Sequence, residues 1–268
     1  MRKLFLLFIA ALTLAACGDK NEPTIDNNGT LNGQFSVSAT KKIRFSKGNL
    51  QYVGTLQFAE SQWETFGDSQ SDNHRDLFGW GTGDNPRKTS SNVGDYDTYN
   101  EWGENPIKNG GNKANMWRTL TKEEWVYLFH GRKNAAILFG MGSVNGVNGI
   151  IVLPDNWTTP KGISFTASTT EGLYWSDTYY TSSSNNYLHN AYTQKQWEDI
   201  MEPAGAVFLP AAGSRNGTSV SQVGSYGLYW SATECGSSNA YSCCFIAQGL
   251  YPQDDGYRNR GLSVRLVR

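Results

Sequence analysis

Three cysteines crowd a ten-residue stretch near the end of the chain: Cys235, Cys243 and Cys244. Clustered thiols can bind a metal, exchange as disulfides or attack an electrophile, provided something lowers their pKa or completes their geometry. Here little does. Cys243 and Cys244 are neighbours, and a bridge between neighbours is strained. A single bridge from Cys235 to either remains open. An odd count in one stretch is not the spread, even-numbered framework of a disulfide-stapled fold. None of the three histidines, His74, His130 and His189, stands at metal-ligand spacing from another His, Cys or carboxylate. Ser214, in Gly213-Ser-Arg-Asn-Gly217, lacks the spacing of a nucleophile elbow and reads as a turn. No catalytic residue is expected. Asp254 and Asp255 with nearby carbonyls would suit calcium, the one cofactor the sequence allows, although paired acids in a loop are more often simply solvated.

The cysteines belong to a longer polar run. Residues 235–245 read Cys-Gly-Ser-Ser-Asn-Ala-Tyr-Ser-Cys-Cys-Phe. That composition resembles an antibody loop, in which Tyr supplies rigid amphipathic contact area and Ser, Gly and Asn supply adaptable hydrogen bonds. The flanks differ in kind. Gly227-Leu-Tyr-Trp-Ser-Ala-Thr233 and Gly261-Leu-Ser-Val-Arg-Leu-Val-Arg268 read as scaffold. Leu262, Val264 and Leu266 alternate with Ser263 and Arg265, which predicts a half-buried antiparallel strand, free to pair with an early strand near Ile43.

Other elements must hold this frame. Ile43 and Phe45 alternate, Gly48-Asn49 could turn the chain, and Leu50, Tyr52 and Phe58 resume the alternation, which predicts strands that a hairpin could join. Residues 61–118 carry no period but hold Trp63, Trp80, Trp102 and Trp117, so their order should come from aromatics. Two helices are predicted from capping boxes. Thr121-Lys-Glu-Glu124 precedes the apolar face Trp125, Leu128, Phe129, and Thr193-Gln-Lys-Gln196 precedes Trp197, Ile200, Met201. Gly149–Pro154 and Gly205–Pro210 read as short buried strands. Gly172-Leu-Tyr-Trp-Ser-Asp-Thr178 nearly repeats residues 227–233, through duplication or through convergence on one kind of strand end.

The N-terminus is a targeting segment in form. Met1-Arg-Lys3 is basic, and Leu4 to Leu14 is apolar but too short to span a bilayer. Leu14-Ala-Ala-Cys17 resembles a bacterial lipobox, in which the signal is cleaved and the cysteine lipidated. The expected organisation is a signal peptide at 1–16, a polar tether at 17–33 anchored through Cys17, and a folded domain at 34–268 with the tract at 235–259. The implied location is the cell envelope, as an outer-membrane lipoprotein exposed at the surface. A net charge of -1 over 268 residues offers no basic face for nucleic acid. With 29 Gly, 9 Trp and 14 Tyr, the chain favours short strands, ordered loops and an aromatic surface, hence a binding protein.

Several separated motifs carry a family resemblance. Phe35 to Tyr52, Asp76-Leu-Phe-Gly-Trp-Gly81, Trp117 to Trp125, Gly205 to Arg215, Tyr229-Trp-Ser-Ala-Thr233 and Gly261 to Arg268 together resemble Bacteroides-type surface lipoproteins similar to the Fibrobacter major paralogous domain. The resemblance implies an α+β, C-type-lectin-like fold of the formylglycine-generating-enzyme type, with two principal helices, short mostly antiparallel strands and long ordered loops. It also implies a likeness to targets of diversity-generating retroelements, whose C-terminal part is rewritten by adenine-directed mutagenesis. From Cys235 to Tyr257 only Gln248 and Gln253 lie outside what a mutated AAY codon can encode. Unpaired cysteines fit random rewriting better than selection on a fixed secreted loop.

The implied contact residues are Cys235, Gly236, Ser238, Asn239, Tyr241, Ser242, Cys243, Cys244 and Ile246, then Leu250, Tyr251, Asp254, Asp255, Tyr257 and Asn259. Trp230, Ser231 and Arg265 would form the fixed frame. The implied partner is a protein or cell-surface ligand. A glycan held at a fixed site and an adhesin or envelope structural role are alternatives. The superfamily's thiol-oxidising branch is a remote one, because the only cysteines besides Cys17 lie within the tract.

Overall fold

The computed structural model describes residue 26 and residues 28–176 and 179–268; the expected signal peptide and Cys17 lie outside them. In chain order the main elements are β1 (Leu50–Val53), β2 (Leu56–Phe58), α1 (Lys122–Val126), β3 (Phe139–Val144), β4 (Val147–Val152), β5 (Tyr174–Ser176) and β6 (Tyr179–Thr181). They continue with β7 (Asn190–Tyr192), α2 (Gln194–Gln196), β8 (Val207–Pro210), β9 (Tyr226–Cys235), β10 (Asn239–Ile246) and β11 (Gly249–Tyr257). Strands and a few helical turns make an α+β fold. One sheet runs β9-β10-β11-β6-β5 and is antiparallel throughout. Another runs β7-β3-β4-β8, with β7 and β3 parallel. Among the described residues no helix is long and apolar enough to cross a membrane.

Both capping boxes form. Thr121 accepts from the Glu124 amide while Glu124 accepts from the Thr121 amide, and Thr193 and Gln196 do the same. Trp125, Leu128 and Phe129 are fully buried, as their spacing predicts. The helices are shorter than that spacing suggests. Each passes into a π-turn, Tyr127–Gly131 and Trp197–Met201, closed by bonds from the Arg132 and Glu202 amides to the Tyr127 and Trp197 carbonyls (2.9 Å each). In the second, Trp197 and Met201 are buried while Ile200 is only half-buried.

The two predicted apolar strands, within β4 and β8, lie side by side with Val152 opposite Val207 and Gly149 opposite Pro210. The aperiodic stretch orders itself through its rings. Trp80 packs on Tyr99 with centroids 4.8 Å apart, Tyr99 on Trp102 at 6.0 Å, and Trp117 on Phe58 at 4.8 Å.

Four expectations change. The early hairpin turns at Gly54, where φ is +68°, not at Gly48-Asn49. Gly48 instead passes so close to Ala59 that a β-carbon would meet its carbonyl oxygen at 2.6 Å. Ser214–Asn216 is a short strand paired with Ser219–Ser221, and the chain turns at Gly217 rather than across all of 213–217. Packing begins before residue 34: Leu31 is wholly buried, and the Leu31 amide donates to the Phe45 carbonyl.

The fourth concerns the last segment. Leu262 to Val267 is buried on every side, not half-buried. It joins no sheet but bridges singly to several partners, including Phe78, Tyr229, Arg118 and Phe45. The expected pairing near Ile43 is present, as reciprocal bonds between Arg44 and Arg268 (2.8 and 3.0 Å). Arg265 enters the interior without a carboxylate at contact distance among the described residues. Its guanidinium donates to Gln62 Oε1 (2.9 Å), Asn49 Oδ1 (3.3 Å) and the Phe208 carbonyl (3.4 Å). Desolvation pulls its pKa down to about 10.

Asp76, at the head of the Asp76–Gly81 motif, is buried and accepts from the Phe66 amide (2.7 Å) and Gln70 Nε2 (2.5 Å). Desolvation outweighs these bonds and raises its pKa from 3.8 to about 6. Between those values the folded state holds more protons than the unfolded one, so this group's contribution falls as pH rises through the window. We expect the stability of the wild type relative to Asp76→Asn to drop by about 2 kcal/mol between pH 4 and pH 7, read from urea midpoints. Parallel profiles for the two proteins would refute the assignment.

Candidate functional site

The tract is not a loop. It consists of strands β10 and β11 and the hairpins that join them to β9 and to each other. Successive side chains of a strand point to opposite faces, and the inner part of β10 is buried on both. Cys243 packs with Tyr229, Phe245 and Leu250 in one core, and Cys244 with Leu228, Trp230 and Ala240 in another. The ladder registers Leu228 against Cys244, Tyr229 against Cys243 and Trp230 against Ser242. Ser242, Cys243, Cys244 and Leu250 are therefore interior residues, and these four expected contact positions are withdrawn.

All three cysteines are free. Desolvation pushes the Cys243 and Cys244 thiols well above their ordinary value, the opposite of activation. Small, buried and neutral, the pair packs as apolar side chains. Random codon rewriting is no longer needed to explain either one.

Two irregularities shape the sheet. Between Trp230 and Glu234, β9 leaves the ladder. There the Ala232 amide donates to the Leu120 carbonyl (2.9 Å), the Ser231 carbonyl accepts from Trp80 Nε1 (2.9 Å), and Thr233 Oγ1 accepts from the Lys122 amide (3.0 Å). The bulge thus ties the tract to the start of α1. Trp230 Nε1 donates to the Phe78 carbonyl (2.7 Å). Trp230, Ser231 and Arg265 are all buried. The second bulge lies in β11, between Tyr251 and Asp254, where Pro252 has no N–H to offer the ladder.

The outer part of the hairpin carries the accessible residues. Asn239 Nδ2 donates across the strands to Asp255 Oδ2 (2.6 Å). Tyr257 is 61% exposed, and Gly236 is exposed at the turn, with Cys235 and Ser238 half-buried beside it. Arg258, which composition alone did not single out, clasps this end. It donates to the carbonyls of Gly236 (2.7 Å) and Asn239 (3.0 Å), pairs with Glu234 (3.2 Å), and lies 4.5 Å over the Trp80 ring. Asn259 is tied down through the Ser91 carbonyl (2.9 Å), and Ile246 is half-buried at the opposite turn.

Tyr179, Tyr241, Tyr251, Gln253 and Asp254 line an open concavity of about 390 Å³, with Tyr251 and Asp254 on one face of the sheet by register and Tyr241 reaching it from the other. The Tyr179 and Tyr251 rings lie 5.1 Å apart, inclined at 37°. Lys122 sits 4.8 Å over the Tyr241 ring from the α1 side. Tyr179 is far from the tract in sequence. Only the repeated Gly172–Thr178 motif pointed nearby, and its strand β5 proves to be one edge of the sheet whose other edge is β9. The two copies differ in setting: Trp175 stacks on His130 at 3.8 Å, whereas Trp230 is wholly buried.

Asp254 and Asp255 are consecutive strand residues registered against Ser242 and Tyr241, so they face opposite sides and do not converge on one cation. Among the described residues no group of three or more His, Cys, Asp or Glu is placed to hold a metal. His74 packs edge-on to Phe66, and His189 lies 3.9 Å from Glu171.

A family model described as a domain of unknown function (DUF8237) matches residues 177–267, a span that contains α2, the tract and most of the buried last segment. No curated protein and no solved structure matches the chain.

In a Cys17→Ser chain, a thiol reagent of the Ellman type should react quickly with one cysteine, Cys235, and with all three only in denaturant. Two or three fast thiols in the native protein would refute the burial of Cys243 and Cys244.

Proposed function

We propose that this chain is a lipid-anchored, surface-displayed binding protein with a C-type-lectin-like fold, and that its ligand surface is the outer part of β10 and β11 with Tyr179. The observation that carries this reading is the tyrosine concavity, built on strands whose inner ends are clamped between two cores. Such a base pre-organises contact residues, which lowers the ordering cost of binding. The anchor and the lectin likeness rest on the sequence motifs, and the α+β architecture with largely antiparallel strands is compatible with them.

The retroelement part of the reading now rests on the outward positions alone. In sibling isolates, codon changes should concentrate at Asn239, Tyr241, Tyr251, Asp254, Asp255 and Tyr257 and spare Trp230, Cys243, Cys244, Arg258 and Arg265. A nearby second copy of the 3′ end, with adenines at the variable codons, and a reverse transcriptase gene should accompany the locus. Uniform variation across 235–259, or a complete genome without that copy, would remove diversification from the proposal and leave binding in place.

A fixed glycan site is the second reading, favoured by one feature: Tyr179 lies outside the tract yet lines the same concavity. Glycan-array binding that survives exchange of residues 235–259 would support it over a ligand held by the tract. The oxidase branch would require paired, reactive thiols, and Cys243 and Cys244 face separate cores.

A further inference from the structure

Asp254 is one of several half-buried acids that form no ion pair among the described residues, and it is set apart by its place in the tyrosine concavity. Glu124 is held by Arg118 (2.6 Å) and Lys41 (2.9 Å), and Asp155 by Arg132 (3.3 Å) and Lys42 (3.2 Å). Asp254 has no ion-pair partner among the described residues, although it lines the concavity beside Tyr179 and Tyr251. Burial raises its pKa, and the neighbouring Asp255 charge pushes the same way. Of the nearby cations, Arg260 acts on Asp254 through its charge but forms no ion pair with it. Arg260 donates to Ser214 Oγ (2.9 Å), and Lys122 pairs with Glu123 (3.2 Å) while covering Tyr241.

An aromatic face attracts cations through its quadrupole, and a desolvated carboxylate attracts them through its charge. The tilted Tyr179–Tyr251 pair offers a platform on which a planar group can lie, with the Asp254 carboxylate at its border. A guanidinium suits that combination better than an ammonium, because it stacks flat and presents a fork of N–H donors to a carboxylate. The concavity is open, which suits a side chain reaching in from a larger body. Tyr174, 64% exposed on strand β5 of the same sheet, extends the aromatic surface available to that body.

We infer that the concavity receives an arginine side chain of a protein partner, held between the Tyr179–Tyr251 platform and the Asp254 carboxylate. This inference rests on reading the outer tract as the ligand surface and adds the chemical class of what it holds. A neutral glycan would also use the rings, but it would leave the half-buried carboxylate without a counter-charge.

The mature full-length chain, titrated by calorimetry with the peptide Gly-Ser-Arg-Arg-Ser-Gly and its citrulline counterpart, tests this. The arginine peptide should bind, and the citrulline peptide, equal in shape but uncharged, at least tenfold more weakly. Asp254→Asn should weaken arginine binding at least tenfold and Tyr251→Leu at least fivefold. Glu198→Gln, the same charge change on the distant π-turn after α2, should leave it unaltered. Circular dichroism of each variant separates loss of binding from loss of fold; if Tyr251→Leu unfolds, Asp254→Asn and the citrulline comparison decide. Absence of binding, equal binding of both peptides, or equal loss in Glu198→Gln overturns the inference. Glycan-array binding lost in Tyr251→Leu but kept in Asp254→Asn also overturns it, while leaving the binding function of this face intact.

Discussion

The fold depends on how one buried, extended segment satisfies its backbone. Residues 261–267 have no strand of their own, yet every N–H and C=O taken from water needs a partner. The partners come from across the chain. Gly261 exchanges bonds with Arg215, Leu262 with Phe78 and Val267 with Arg118. The Ser263 amide donates to Leu228 and its carbonyl accepts from Trp230, while the Val264 and Leu266 carbonyls accept from Leu50 and Ser46. Arg265 extends the same role sideways, joining Asn49, Gln62 and Phe208 through one side chain. Such contacts are long-range almost without exception, so the interior closes only when this segment is in place.

That arrangement explains why the tract can be polar and still sit on a rigid base. Trp230 is held against the last segment by its backbone and against Phe78 by its indole. β10 then pairs with β9 and inherits the position of that strand. Arg258 closes the far end, so the hairpin is fixed at both extremities. Between the two fixed points the side chains that reach water are Tyr, Asn, Asp and Gln, which supply contact area and hydrogen bonds without contributing to the cores.

Much of the scaffold was legible, for local reasons. Capping boxes are read from residues three apart, and the Trp125–Phe129 face from residues three and four apart. The apolar strands β4 and β8 stand out because both of their faces are buried. The strands of the tract were not legible. Asn239-Ala-Tyr-Ser-Cys-Cys-Phe-Ile246 shows no clear alternation, because consecutive Cys243 and Cys244 both pack on cores while only Asn239 and Tyr241 of the outer half reach water. Counting Cys as apolar would have exposed the run Cys243-Cys-Phe245 as interior. The π-turns, the clasp by Arg258 and the arrival of Tyr179 depend on distant partners, which no local pattern encodes. The buried Arg265 was read as frame for the right position but in the wrong setting, since alternation assigned it to solvent.

The two-sided burial of β10 also limits what evolution can do here. Cys243 belongs to one core and Cys244 to the other, so inserting or deleting a single residue before them would exchange the two and turn every later side chain to the wrong face. Outward positions can take many residue types, but the spacing between the frame and the cores cannot change. Descendants of this sequence are free to alter the spelling of the tract and not its length.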